Sequence, residues 1–370
     1  MIKKIVLTGG PGTGKTTVLE KIQQVYGSQG YRVIVIDETA TYLILKGIRP
    51  FGEGAIDLVD FQELVMRMQL AKEEVFERAA LMMGETEKVL IVYDRGAIDN
   101  RAYINAEQFE EVLARLNHVK NVSELMDNYD LVIDLVGRKD FYTCDNNKAR
   151  SEDAETALEL GSNTLKSWIG HKKIKIVLPK DTMDEKVNEV LNIINDVLCE
   201  KQVKRQDKYS VDLNKTDLDR IKKNGRGMHI VQTYLVSDER TEKRIRKVEF
   251  ENNESYYFSV YRLMEDGTRV IISEKSIDKK VYDQLMESKD DRYDTLSKMR
   301  YYFVEDGQYF SLDVFDNNRE NGILEINVCE GEKVVIPEYV GALANVSSDS
   351  RYFNKSMALK IKNKELRKEV

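Results

Sequence analysis

Eight consecutive residues near the start, Gly9-Gly10-Pro11-Gly12-Thr13-Gly14-Lys15-Thr16, fit the pattern G-x-x-x-x-G-K-[ST] at every position. Their chemistry is phosphate binding. Glycines let backbone N–H groups turn inward around a β-phosphate. The start of a helix adds partial positive charge, and the Lys15 ammonium reaches the β- and γ-oxygens. Gly10, Pro11, Gly12, Thr13, Gly14, Lys15, Thr16 and Thr17 are therefore the expected nucleotide-binding residues, and the Thr16 hydroxyl an expected Mg2+ ligand. A glycine-rich turn without a ligand is the bland alternative. The flanks speak against it, because an apolar strand, "KKIVLTG", precedes the loop and a helical run, "GKTTVLEKIQQVYGSQG", follows it.

Phosphoryl transfer needs a metal, an in-line nucleophile and positive charge on the transferring group. In an open α/β sheet these gather at the carboxyl ends of the strands. "VIVIDETA" puts Asp37 and Glu38 at one such end, and "VLIVYDRG" puts Asp94, Arg95 and Gly96 at another. A later polar stretch, "GRKDFYTCDNNKARSED", carries Arg138, Lys139, Lys148 and Arg150. In this reading Lys15, Glu38, Asp94, Arg95 and Arg150 are the catalytic set. Asp94 joins Thr16 on Mg2+, Glu38 accepts the proton of an attacking hydroxyl, and Arg150 closes over the phosphates. Taken singly, each acid reads equally well as a helix cap or a solvated loop residue. Phe61, Leu64, Val65, Met68 and Val75 form an apolar stripe at helical spacing, which is core. Gln62 and Gln69, a heptad apart on the same run, are weaker candidates for facing a substrate. His118, His171 and His229 show no metal-ligand spacing, and Trp168 and His171 are expected to pack.

The elements that must position these groups fall into two textures. Over residues 1–200, apolar strands alternate with amphipathic helices: "YRVIVID", "KVLIVYDRG", "YDLVIDLVG" and "KIKIVLP" between runs such as "FQELVMRMQLAKEEVFERAALMM" and "MDEKVNEVLNIINDVL". Continuous apolar strands between helices indicate a doubly wound parallel sheet covered on both faces. Residues 201–227 are highly charged and read as a solvated linker. From 228 to 362 the period becomes two. Seven short strands, from "HIVQTYLV" to "GILEINVC", are separated by turn residues such as "DG" and "NNRENG". Such a meander is expected to close into an antiparallel barrel, which removes its edges. Residues 363–370 are a charged tail.

Composition narrows the classes. A net charge of -7 over 370 residues argues against a dedicated nucleic-acid binder. Cys144, Cys199 and Cys329 are far apart and lack CxxC spacing, so neither a zinc site nor a disulfide framework is expected. No apolar run approaches the roughly 18 residues of a membrane span, and the first residues read as a strand rather than a signal peptide. A cytoplasmic protein is the expectation.

The constellation of the first half resembles the P-loop nucleoside and nucleotide kinases, in which an acid ends the second strand, a D-R-[GS] element the third, and a lid arginine follows the fourth. "DETATY" and "YDRGAIDN" are most similar to the AAA-type ATP-binding family that includes nicotinamide-riboside kinase domains. In the second half, "QTYLVSDERTEKRIRKVEF", "SKMRYYFVEDGQYFSLDVF", "ILEINV" and "YFNKSMALKI" resemble the CYTH domain of the triphosphate-tunnel family. This resemblance implies an eight-stranded α+β barrel that binds phosphate through Arg244, Arg246, Arg262, Lys275, Lys298 and Arg300, with Glu325 among the site residues. The hydrolytic members open with E-x-E-x-K. The corresponding stretch here offers His229, Val231 and Thr233, and Asn327 stands where a second acid is expected near the end. The barrel is thus expected to bind without hydrolysing. Animal proteins pairing the same two domains are linked to GTP and acidic phospholipid, which implies a phosphate-bearing lipid or nucleotide as its ligand.

Together these features predict an Mg2+-dependent ATP- or GTP-binding protein that transfers phosphate to a small nucleoside-like acceptor. The alternatives are a nucleotide-hydrolysing switch controlling the barrel and, less favoured, a barrel triphosphatase.

Overall fold

The computed structural model describes residues 2–84, 86–116, 121–138, 154–198, 206–251, 253–264, 269–329 and 332–360. The chain divides into two compact units, Met1–Glu200 and Lys201–Val370.

The first unit runs β1 (Ile2–Thr8), α1 (Lys15–Ser28), β2 (Arg32–Ile36), α2 (Thr39–Leu45), α3 (Leu58–Met82), β3 (Val89–Asp94), α4 (Ala106–Arg115), α5 (Val122–Asp127), β4 (Leu131–Leu135), α6 (Ala154–Trp168), β5 (Ile174–Val177) and α7 (Met183–Leu198). Its five strands form a wholly parallel sheet in the order β2-β3-β1-β4-β5. Val89–Tyr93 and Leu131–Leu135 are buried along their length, as strands sandwiched between helices must be. One face packs Ile5, Leu7, Val92 and Ile133 against Val18 and Ile22 of α1 and Val187 and Val190 of α7. Chain order reverses at central β1, whose neighbours are β3 and β4. The loop that leaves β1 therefore sits at the switch point, where a doubly wound sheet opens its crevice.

The second unit runs β6 (Gln206–Asp212), α8 (Leu218–Asn224), β7 (Arg226–Leu235), β8 (Thr241–Phe250), β9 (Asn253–Leu263), β10 (Arg269–Ile277), α9 (Lys279–Met286), β11 (Leu296–Glu305), β12 (Gln308–Phe315), β13 (Asn318–Asn327), β14 (Ala342–Asn345) and α10 (Asn354–Ala358). All seven expected strands are present. Two expectations are corrected. The charged stretch read as a linker supplies β6, hydrogen-bonded between β13 and β14, as well as α8. The sheet is also not a closed barrel: its order is β10-β9-β8-β7-β11-β12-β13-β6-β14, with β10 and β14 at the open ends. The end strands do not suit one another. β14 has four residues and a shifted register, and β10 is bulged between Ile271 and Ser273.

One face of this sheet is apolar and helix-covered: Ile221 of α8 lies with Phe303, Phe310 and Leu324, and Tyr282 of α9 with Ile245 and Tyr256. The pairing register puts Arg244, Arg246, Lys298, Arg300, Asp313 and Glu325 on the opposite face.

Candidate functional site

The loop after β1 is a cradle that only glycine can line. Gly9 has φ 128°, and a Cβ there would stand 2.3 Å from the Leu135 carbonyl oxygen. Gly14, at φ 91°, caps α1 without a side-chain cap, so the first turn of the helix keeps its N–H groups for a ligand. Thr13 Oγ1 donates to the Gly10 carbonyl at 3.0 Å. From behind, Lys186 Nζ ties Thr13 O and Val136 O together, each at 2.9 Å. Lys15 is buried, and its ammonium donates to Gly9 O at 3.2 Å and Gly10 O at 3.1 Å. Burial and then Arg95 lower its pKa to about 8, against the opposing pull of Asp94 and Glu38.

The loop opens into a cavity of about 740 Å3 that Lys15, Thr16, Thr17, Glu38, Asp94 and Arg95 all line. The first two strand ends of the sequence reading and the loop are thus brought together. Glu38 Oε1 accepts from Arg95 Nε at 2.5 Å, and Glu38 Oε2 from Thr41 Oγ1 at 2.8 Å. Burial pushes the Glu38 carboxyl up, but Arg95 and Lys15 more than offset it and hold the pKa at about 2. Arg95 adopts φ 70°, rare for a residue with a side chain, and its backbone N–H donates to Leu7 O at 3.1 Å. Its Nη1 is buried with no hydrogen-bond partner.

Asp94 fits a divalent cation. Its Oδ1 is buried with no hydrogen-bond partner, the Thr16 hydroxyl lines the same cavity, and burial raises the carboxyl to about 6. Among the described residues no group of three or more His, Cys, Asp or Glu side chains forms a metal cage by itself. Arg150, Lys139 and Lys148 lie outside the described residues. Arg138 is described; its Nη1 is 3.7 Å from Asp181.

Sequence reasoning missed several groups. Asp99, two residues into a short helical turn (Ala97–Ala102), accepts from Gly96 N at 2.6 Å and from Thr8 Oγ1, and lies 3.9 Å from Arg95 Nη1. Asp134, at the centre of the sheet, is raised to about 7 by burial and then by Asp99. The only signal for Asp99 was its place in "DRGAIDN", behind the two residues already chosen. Gln62 lines the cavity while 4% exposed, and its Oε1 has no partner. Gln69 lines it too, but its amide is engaged by Thr39, Glu73 and the Arg95 carbonyl. Trp168 and His171 pack as expected, fully buried.

In the second unit the cations named from sequence separate. Arg262 pairs across from Thr241 and Lys275 from Phe258, which places both on the face opposite Arg244 and Arg246, and both are exposed. The other cations share one face but form two clusters. Arg300 grips Asp313 with Nε at 2.6 Å and Nη2 at 2.7 Å and reaches Glu325 at 2.7 Å; Lys298 also bonds Asp313, and Lys208 bonds Glu325 at 2.8 Å. Burial works against the Asp313 and Glu325 charges, yet Arg300 and its neighbours hold both carboxyls below their usual range. These three cations are largely spoken for.

Arg244 and Arg246 are different. Arg244 bonds the Tyr261 hydroxyl and Arg246 bonds Glu274, yet the Nε of each is buried without a partner, as is Ser259 Oγ. Burial, then Arg246, lowers the Arg244 pKa. The register also corrects the metal-motif alignment. His229, Val231 and Thr233 face away from the arginines, and the residues sharing their face are Met228, Ile230 and Gln232, none of them acidic.

Residues 4–186 match the model of the AAA domain family. This stretch is an AAA domain. No curated protein matches the chain. Among solved structures, the inorganic triphosphatase NE1496 is 23% identical, covering 43% of this chain and 97% of its own, with a TM-score of 0.32. Thymidylate kinase from Ehrlichia chaffeensis is 14% identical, covering 52% of this chain and 98% of its own, with a TM-score of 0.34. A putative adenylate cyclase from Bacillus halodurans is 15% identical over 34% of this chain and 81% of its own, with a TM-score of 0.24. Within this stretch a glycine cradle, the Glu38–Arg95 ion pair and an Asp94 oxygen without a hydrogen-bond partner meet at one cavity, in a domain of a nucleotide-binding kind. No described helix is long and apolar enough to cross a membrane.

Proposed function

We propose that the AAA domain binds Mg-ATP or Mg-GTP and transfers the terminal phosphate to a small nucleoside-like acceptor, while the second unit binds a phosphorylated ligand without hydrolysing it. The carrying observation is the lining of the cavity. Besides Lys15 and Asp94 it includes Tyr42, Phe51, Phe61 and Tyr103 and the unpartnered Gln62 Oε1, groups that suit a flat, polar-edged acceptor.

In this reading Lys15 and the loop N–H groups hold the β- and γ-phosphates, and Thr16 and Asp94 hold Mg2+. The cation, when bound, neutralises charge developing on the phosphate oxygens. Arg95, fixed at Nε by Glu38, has Nη1 left for the transferring group. Glu38 takes the acceptor's proton. A base held at about 2 suffices, because in a loose transition state the hydroxyl becomes strongly acidic only as its bond to phosphorus forms. Arg150 is proposed as the lid cation. For the second unit, the orphaned Nε atoms of Arg244 and Arg246 and the Ser259 hydroxyl support an anion site, with inorganic phosphate compounds or acidic phospholipid as its ligand class.

The test is a panel of nucleosides and ribosides screened for acceptor-stimulated ATP and GTP consumption. The expected result is stimulation by a subset of acceptors, abolished with Mg-nucleotide binding in Lys15→Ala. Consumption unaffected by every acceptor overturns the transferase in favour of the hydrolytic switch, and consumption surviving Lys15→Ala returns hydrolysis to the second unit.

A further inference from the structure

We infer that Glu73, on α3 behind the cavity, is a positioning residue that holds the Glu38–Arg95 couple in place through two hydrogen-bonded arms. Glu73 is 4% exposed and does not line the cavity. In the first arm Gln69 Nε2 donates to Glu73 Oε1 at 2.7 Å and to the Arg95 carbonyl at 3.3 Å, while Gln69 Oε1 accepts from Thr39 Oγ1 at 2.5 Å. Thr39 directly follows Glu38. In the second arm Tyr129 Oη donates to Glu73, 2.8 Å from Oε1 and 3.0 Å from Oε2, and accepts from Ala97 N at 2.9 Å. Ala97 lies two residues after Arg95, whose backbone is in the left-handed region. Both arms therefore end beside Arg95, a residue whose backbone conformation is costly to maintain.

The direction of each bond depends on Glu73 being an acceptor only. A carboxylate forces the Gln69 NH2 inward, which leaves its oxygen for Thr39. It likewise takes the single Tyr129 proton, which leaves a phenol lone pair for Ala97 N–H. A carboxylic acid turns one of these oxygens into a donor: a proton on Oε2 costs the Tyr129 hydroxyl one of its two acceptors, and a proton on Oε1 weakens both arms. The groups around Glu73 are Gln69 and Glu77 on its own helix, Tyr129 before β4, Tyr93 on β3 and Lys4 on β1; the last two are bonded to Glu77. Burial raises the Glu73 pKa to about 7, with Gln69 and Tyr129 pulling down, Glu77 pushing up and Lys4 pulling down. The bracket thus changes state near neutrality.

Trp168, the chain's one tryptophan, reports on it. Its ring lies edge-on to Tyr129 with centroids 5.4 Å apart, and it packs so tightly on Gly96 that a Cβ there would stand 2.8 Å from it. The experiment follows Trp168 emission of the full chain, without added nucleotide, from about pH 5.5 to about pH 8.5. The parent is expected to show a transition near pH 7 that Glu73→Gln lacks. Tyr129→Phe, which removes one donor to the carboxylate, is expected to move the midpoint upward. The same transition in parent and Glu73→Gln, no transition in the parent, or an unmoved midpoint in Tyr129→Phe each overturns the inference; the last arm serves if Glu73→Gln does not fold. What the couple does once positioned rests on the transferase reading, so a second measurement keeps the two apart. With Mg-ATP, Glu73→Gln should bind within about twofold of the parent but turn over an identified acceptor about tenfold more slowly. If emission behaves as expected and turnover does not, the transferase reading fails and the bracket stands.

Discussion

The Lys15 ammonium is held by two carbonyls of its own loop while burial and the Arg95 guanidinium push its pKa to about 8. Phosphate oxygens arriving beside it favour the charged form and raise that pKa. Lys15 is then protonated in both states at pH 6.5 but only when liganded well above pH 8, so binding takes up a proton on the alkaline side. Calorimetry at pH 8.5 in buffers of different ionisation enthalpy should register uptake of roughly 0.5–1 proton per Mg-ATP that is absent at pH 6.5, with affinity falling as pH rises further. Equal exchange at the two pH values would return Lys15 to an ordinary ammonium. The same scale shows what the one-dimensional reading reached. Lys15, Thr16, Glu38, Asp94 and Arg95 were legible because a motif or a strand end fixes each. Gln69 was reached only as a weaker candidate for facing a substrate, and Glu73 and Tyr129 were not reached at all, because their roles come from hydrogen bonds spanning 26 to 56 residues of chain.

Among elements, the sharpest contrast lies on the charged face of the second sheet. Asp313 on β12 is shared by Lys298 and Arg300 of β11; Asp313 and Lys298 are buried and Arg300 is half-buried. Asp313→Asn leaves two cations facing each other and should cost about 3–5 kcal/mol of unfolding free energy by denaturant titration. Arg246→Ala should cost far less stability, yet weaken inorganic triphosphate binding about tenfold. Because the folded Asp313 carboxyl sits below its ordinary 3.8, its contribution is complete above about pH 4 and is lost as pH falls toward the folded value. This difference between clusters was invisible in the sequence, where Arg244 with Arg246 and Lys298 with Arg300 show the same alternate spacing. Parity along a strand says which residues share a face. It does not say which face a neighbouring strand turns the same way, so Arg262 and Lys275 joined the wrong set. β6 was missed for a related reason: in "QDKYSVD" only Tyr209 and Val211 are apolar, and the strand is defined by its partners rather than by its own pattern.

For the whole molecule, the two units each carry a core and, in the proposed reading, a ligand class of their own. Calorimetric unfolding should resolve two transitions. Mg-ATP at a hundredfold excess over its Kd should stabilise the first by about 2.7 kcal/mol and leave the second unmoved, while Asp313→Asn lowers only the second. A single transition shifted by both changes would show the units to be one cooperative body. The route of β6 bears on any attempt to study the second unit alone. The sequence resemblance begins at 228, which invites a cut between residues 224 and 228. β6 lies before that cut, yet it is the strand that joins β13 to β14, with Asp207 opposite Ile326 and Val211 opposite both Gly322 and Ala342. A fragment starting at residue 225 would strip β14 of its described partner and bare the β13 backbone as a sticky edge. Its failure to bind would then report the scissors rather than the ligand, and a faithful fragment has to begin upstream of Gln206.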